Sequence, residues 1–483
     1  MCRLFGTLSK MKLYFLILLF LIFSTVPLKA NPGENGIEDF WEGIYSGKER
    51  IGYSRTLFKN NNDKSEIVEE SVLKMNALGK TQEIDIYSNY QLRGFLLQSF
   101  EYSVRAGIVD LKISGRREGD KLTIKMISVS GETDMEFPLD REPIVSPIIY
   151  KWFLSQKPVM GQSYETFLFD PASVVTGIGP DSLKASLVLE GRERITIPLG
   201  TFDTYRVKLK FMNSESISWI DDRGEVIREN SQLGLVSIKE RSGEFLRDTL
   251  SSLDVVEKTA VSSNVRLENP RELKLLRLKI SGIESFENLD LNDNNRQFFK
   301  DGTIEVRVGS IPEDDGYEKS FLKQGLEEYI EPTSLIQSDD EKIITLTNEI
   351  LDGSKDPISG VRKINDWVYR SLEKSPTMGI PNALDIVKTK KGDCNEHAIL
   401  LAALTRSVGI PTKVVLGLVF LDEKFYYHAW NEVFLGKWIA VDPTFGQFPA
   451  DASHVKFIEG NLDKSPEILR LVGKIKLEIL EAS

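Results

Sequence analysis

From Phe40 to about Leu253, apolar and polar residues alternate between turn signals, the period-two pattern of strands that bury one face. Ile108–Ile113 and Leu122–Ile127, on either side of Glu118-Gly119-Asp120, predict a hairpin. Tyr205–Phe211 alternates in the same way, and Ser216–Ile220 turns at Asp221–Gly224 and returns through Glu225–Arg228. Pro143–Leu154 is the one helix-like interruption. Many short antiparallel strands predict a twisted β-rich domain over residues 37–255, a half-barrel or a sandwich. No cluster of catalytic residue types lies in it, so it reads as a scaffold or binding module.

The period then changes. Val255–Pro270 is polar and lacks a core pattern, which places a boundary there and a second domain at 270–483. Leu273–Ile283 and Thr303–Val308 read as strands. Between them, Asp290-Leu-Asn-Asp-Asn-Asn295, with Asp301 further on, lacks the glycine of a calcium loop and reads as a solvated turn. Helical periods begin after Pro332. Ser338-Asp-Asp-Glu341 predicts a capping box, followed by a face of Ile343, Ile344, Ile350 and Leu351. Asp356-Pro357 starts the next helix, with Val361, Ile364, Val368 and Leu372 as its stripe and Trp367 beside it. Asp393 and Glu396 form a second capping box for a helix from Cys394 to about Val408. Ala398, Leu401, Ala402 and Thr405 face inward there, and Gly409 is its stop. Lys413–Phe420 and Phe425–Phe434 are strands, and Lys437–Asp442 returns after a turn at Leu435-Gly436.

The chain has 483 residues, enough for two or three domains. Its 72 acidic and 61 basic residues argue against a nucleic-acid partner. Three histidines and two cysteines argue against a four-ligand zinc centre, and no cofactor motif is present. Lys10 and Lys12 precede an uncharged run, Leu13–Val26, and Ala30 precedes Asn31-Pro-Gly33. Residues 1–30 therefore read as a secretory signal peptide, too short in its apolar run for a stable membrane span, with an uncleaved anchor as the alternative because Leu28 is a mediocre residue at −3. Cleavage there predicts a periplasmic or secreted protein. It removes four bases and no acid, taking the formal charge from −11 to −15, and leaves Cys394 as the single thiol.

That thiol sits at the first position of a helix, where unpaired N–H groups and the helix dipole favour a thiolate and could hold an oxyanion. With a turn at Leu435-Gly436, His428 and Asp442 are cross-strand neighbours to within one residue, close enough for a carboxylate to hold an imidazole. A thiol, a base and an acid that orients the base make up a cysteine nucleophile site for attack on an acyl carbon. His397, one turn after Cys394, reads as support for the helix end. His454 falls in a loop without a visible partner. Trp430 shares the face of His428, as a wall of the site or as core.

Lys391-Gly-Asp-Cys-Asn-Glu-His397, Ala402-Ala-Leu-Thr-Arg-Ser-Val-Gly-Ile-Pro411, His428-Ala-Trp-Asn-Glu432 and Trp438-Ile-Ala-Val-Asp-Pro443 resemble the bacterial transglutaminase-like superfamily, over about Ser338–Pro443 within a core of 338–445. The resemblance implies a papain-like α+β core with a catalytic triad, which carries over to Cys394, His428 and Asp442. It implies acyl transfer from a peptide or protein amide through a thioester on Cys394. Papain-like peptidases often place a glutamine shortly before the cysteine as an oxyanion donor. Lys388-Thr-Lys-Lys391 occupies that stretch here, so the side-chain donor is unassigned. The short His428–Asp442 connection holds no lid, which favours hydrolysis over cross-linking. A binding module that uses the fold without catalysis is the alternative from another class.

Overall fold

The computed structural model describes residues 37–483 apart from short stretches, the longest being 242–248, 312–324, 376–381 and 461–467. The signal segment and Cys2 lie outside the described residues. No helix among the described residues is long and apolar enough to cross a membrane. The described chain divides into two compact units, 37–254 and 255–483.

The first unit is built on one sheet of sixteen strands. An antiparallel meander runs from Ile37–Ser46 to Glu132–Pro138, and a second from Ser163–Phe169 to Leu235–Glu240. The first strand pairs the last, from Trp41 opposite Glu240 to Ser46 opposite Leu235, and joins the two meanders. The predicted hairpin is Val109–Glu118 with Lys121–Ile127, closed by Gly119 at φ +65°. At one edge, Pro143–Val145 pairs in parallel with Phe167–Phe169 and also meets the distant strand Leu96–Ala106. The sheet therefore curls over on itself, as a half-barrel does. The interruption predicted at Pro143–Leu154 is that edge strand followed by a helix, Ile149–Ser155. Tyr150 and Phe153 of this helix are buried, and Phe100 meets Phe169 edge-on at 4.9 Å. The interior is not wholly apolar: Glu42, Glu69, Asp170 and Glu229 are each at least nine-tenths buried.

In the second unit Val255–Thr259 is a short helix and Val261–Ser262 a short strand, where the sequence pattern shows no core. Helices Glu341–Leu351, Pro357–Ser371 and Ala383–Thr389 surround the cysteine helix, Cys394–Arg406. The first starts on Asp340, which accepts the Lys342 N–H, rather than on Ser338. Its inward face also differs: Thr347 is buried, because its hydroxyl bonds the Ile343 carbonyl, while Ile344 is exposed. Asp356 caps the second helix through the Ile358 and Ser359 N–H groups, and the stripe from Val361 to Leu372 is buried.

A mixed-length sheet of five strands carries the site. The histidine strand, Lys424–Phe434, pairs the wholly buried central strand Thr412–Leu421, and that strand pairs His454–Gly460 on its other edge. Trp438–Val441 returns beside the histidine strand. A second sheet of four strands is tied to the first through Gln297, whose amide bridges the Lys456 backbone at 2.8 Å on both sides. The predicted turn at Asp290–Asn295 is organised by Asp293, whose carboxylate accepts three backbone N–H groups and pairs Lys456 at 3.0 Å.

Candidate functional site

The cysteine helix begins as the sequence predicts. Asp393 accepts the Asn395 N–H, Glu396 reaches back to the Asp393 N–H, and Cys394 is the first helical residue. Gly392 is required by this cap: a Cβ there would stand 2.3 Å from that of Glu396. Every residue of the helix is buried, and Cys394 is not part of a disulfide. The helix packs on the histidine strand, where the Asn431 amide donates to the Ala398 carbonyl at 3.0 Å. That bond joins one turn past Cys394 to three residues past His428.

His428 and Asp442 meet: Nε2 lies 2.8 Å from Oδ2, and both side chains are fully buried. The register differs from the expected one. Asn431 faces Val441 and Phe434 faces Trp438, because the turn also contains Lys437, whose carbonyl accepts the Leu435 N–H. Asp442 is thus the first position past the last pair, and reaches His428 diagonally on one face. The other carboxylate oxygen accepts the Thr444 and Phe445 N–H groups at 2.7 and 3.1 Å.

His454 is not in a loop and not without partners. It opens the strand His454–Gly460, is fully buried, and places Nε2 2.9 Å from the same Oδ2 of Asp442. Its Nδ1 faces the Asp451 carbonyl at 3.2 Å and Oδ1 at 3.3 Å. The central strand explains the meeting. Gly417 lies opposite His428 and Val419 opposite His454, two residues apart and so on one face. A Cβ on Gly417 would stand 2.7 Å from the Trp430 ring, so the glycine makes room for that ring. Trp430 and Phe445 lie nearly parallel to the His428 ring at 6.1 and 5.1 Å, so Trp430 is a buried wall of the site.

The donor atoms of His428, Asp442 and His454 all lie within 4.8 Å of one another. Around a tetrahedral metal, ligand atoms at about 2.05 Å stand about 3.3 Å apart. The two N–O separations here are shorter and have hydrogen-bond lengths, so the set shares protons.

Burial alone would raise Asp442, but the charges and hydrogen bonds of His428 and His454 outweigh it and hold its carboxyl well below the usual range. Burial lowers His428, against the pull of Asp442. Burial also opposes charge on His454, yet Asp451 and Asp442 raise it above the ordinary imidazole value. His397 is pushed down to about 4, chiefly by burial. Its Nδ1 meets the Asp393 carbonyl at 2.5 Å, which makes it a neutral support of the helix start.

Lys374 is a site residue that the sequence pattern does not reveal. It lies in a two-residue parallel pairing opposite Gly392, two residues before Cys394. Its ammonium stands 3.9 Å from the Tyr369 ring and is lowered by burial to about 8, with Asp442 opposing. It acts electrostatically on both Asp442 and His397. No local spacing links 374 to 394; only the strand pairing does.

Comparison with known proteins adds the following. No curated protein matches the chain. Among solved structures, a candidate cysteine protease from Cytophaga hutchinsonii is 17% identical, with a TM-score of 0.28 over 44% of this chain and 87% of that one. A β-barrel-like protein of a domain of unknown function from Brucella abortus is 9% identical, with a TM-score of 0.33 over 42% and 95%. A candidate protease from Parabacteroides distasonis is 12% identical, with a TM-score of 0.19 over 76% and 68%. Residues 344–443, which contain the cysteine helix, the histidine strand and Asp442, match the transglutaminase-like superfamily, so the C-terminal unit contains a transglutaminase-like region.

Proposed function

We propose that the chain is an exported cysteine hydrolase of peptide or protein amides. The observation that carries the reading is the buried His428–Asp442 bond, made from the strand against which the Cys394 helix packs. Asp442 accepts from Nε2 and so fixes the tautomer. Nδ1 is then the nitrogen that can take the Cys394 proton. The thiolate attacks the amide carbon, His428 returns the proton to the leaving amine, and water attacks the thioester and releases the acid. Helix N–H groups hold the oxyanion, and the Lys374 ammonium supplies the side-chain cation that the 388–391 stretch leaves unassigned. The short turn between His428 and Asp442 provides no lid to exclude water, which favours water over an amine as acceptor.

The test is reaction of the mature protein with a thiol-directed acyl probe and mass mapping of the adduct. Labelling confined to Cys394 and lost in His428→Ala is expected; an inert Cys394 would leave a binding module. Incubation with a glutamine-bearing protein and a tagged amine decides direction, and amine incorporation faster than acid release would make the protein a cross-linker. N-terminal sequencing after export is expected to start at or near Asn31, and retention of Lys10 would reject the signal peptide.

A further inference from the structure

We propose that His454 is a positioning residue of this site: it shares one carboxylate oxygen of Asp442 with His428, holds a fixed positive charge there, and so sets the pH range in which Cys394 and His428 work. The proposal rests on the cysteine-hydrolase reading above.

The charge follows from geometry. Nε2 of His454 faces Asp442 Oδ2, and Nδ1 faces the carbonyl and Oδ1 of Asp451. All of these are acceptors. A neutral ring has one N–H and would turn a lone pair toward one of them; only the doubly protonated ring satisfies both sides. Asp451 is held for this role by Arg271 at 3.1 Å, by the Ser453 N–H at 2.8 Å and by the Gln447 amide at 2.8 Å. Arg296 donates to the His454 carbonyl at 2.9 Å and to the Asp451 carbonyl. The other titratable ring beside His454 is His428, at 5.7 Å between centroids, and Trp430 and Phe445 complete its surroundings. The run is therefore His428, Asp442, His454, Asp451, Arg271, with charges alternating beyond His428.

Two effects follow. The N–H of His454 donates to the same Oδ2 that accepts from His428, so two donors hold that oxygen and Asp442 is kept from swinging away from the base. The imidazolium also cancels part of the Asp442 charge that would otherwise make His428 a stronger base. A fixed cation near the couple disfavours further positive charge on His428 and favours the Cys394 thiolate. Both shifts move the working range toward lower pH.

The experiment compares the rate of Cys394 alkylation by iodoacetamide against pH in the wild type, His454→Gln and His454→Leu. Glutamine keeps an N–H for Asp442 and removes the charge. The whole profile is expected to move up by about one pH unit, a drop of about tenfold on the acidic limb, with the plateau rate kept. Leucine removes the donor as well, and the plateau is expected to fall. The chain has three histidines, so ring NMR resolves each in the full protein. In the wild type His454 should stay charged above the ordinary imidazole range, and His428 should titrate higher in His454→Gln. A folded His454→Gln with an unmoved profile and an unmoved His428 titration overturns the proposal. Failure of Cys394 to take the acyl probe, with the two titrations behaving as stated, overturns the hydrolase reading and leaves the His454–His428 coupling standing.

Discussion

The two units bury carboxylates in opposite ways. Inside the first, burial pushes Asp170 and Glu229 up to about 7, and Glu42 and Glu69 well above the usual range. Their company is chiefly hydroxyls and other acids: Glu229 bonds Ser218 and Tyr150 at 2.5 and 3.1 Å, while Glu42 feels Glu229 and Glu69 more than it feels Lys239. Glu225, buried against Lys239 and Arg223, is an exception there. In the second, burial pushes the same way, yet Asp442 and Asp451 are held well below the usual range by His428, His454 and Arg271. Glu432 is an exception there, raised by burial even with Lys456 at 3.2 Å. Desolvation is thus common to both units, and the partner decides whether a charge survives it. Burial favours protonated carboxyls at Glu42, Glu69, Asp170 and Glu229, while Asp442 and Asp451 stay charged beside their basic partners.

The same isosteric change therefore separates the units most sharply. Asp442→Asn removes a charge and is expected to lower the rate of acyl-probe turnover by about a thousandfold or more, as loss of the orienting acid does in such triads. Glu229→Gln replaces a carboxyl that is mostly protonated below its raised value of about 7, and at about pH 6 should leave turnover unchanged and cost no more than about 1 kcal/mol in a thermal melt. A large loss of turnover in Glu229→Gln, or a silent Asp442→Asn, would break the contrast.

Lys374→Met is expected to reduce turnover by about tenfold to a hundredfold while alkylation of Cys394 persists, as the proposed oxyanion role of this cation requires. Equal losses in both measurements would instead make Lys374 a support of the thiolate.

The contrast also predicts opposite responses to pH. In the first unit, the folded values of the buried Asp170 and Glu229 lie above the unfolded ones. Their stabilisation is present below about pH 4 and is lost as pH rises toward 7. In the second, His397 is held near 4 against about 6.5 unfolded, so stability falls as pH drops through that window. His428 acts in the same direction, and Asp442 and Asp451 add a loss below about pH 4. His454, whose folded value is raised, opposes them. Hydrogen exchange on the full chain, corrected for intrinsic rates, should show protection at 37–254 rising from pH 7 to pH 5 while protection at 255–483 falls. Parallel changes would refute the difference. The smallest effect is His397→Gln, which should flatten the second trend by up to about 1.4 kcal/mol per pH unit.

What the sequence by itself determined is local. Alternation marked the strands of the first unit, and Asp356-Pro357 and Asp393–Glu396 marked two helix starts, because caps and periods depend on neighbours a few residues away. The start of the Cys394 helix and the contact between His428 and Asp442 were legible for the same reason: a helix cap and a short hairpin each act within a few residues. Only the tertiary structure decided the rest. The extra turn residue Lys437 moved the register, and Thr347 replaced Ile344 on the inward face. The central strand brought His454 to the oxygen that His428 uses, and a two-residue pairing set Lys374 beside Gly392. The interior carboxyls are pushed up only through burial in a sheet whose strands lie far apart in the chain. Each of these depends on pairings and desolvation between distant segments, and no local pattern of residues encodes them.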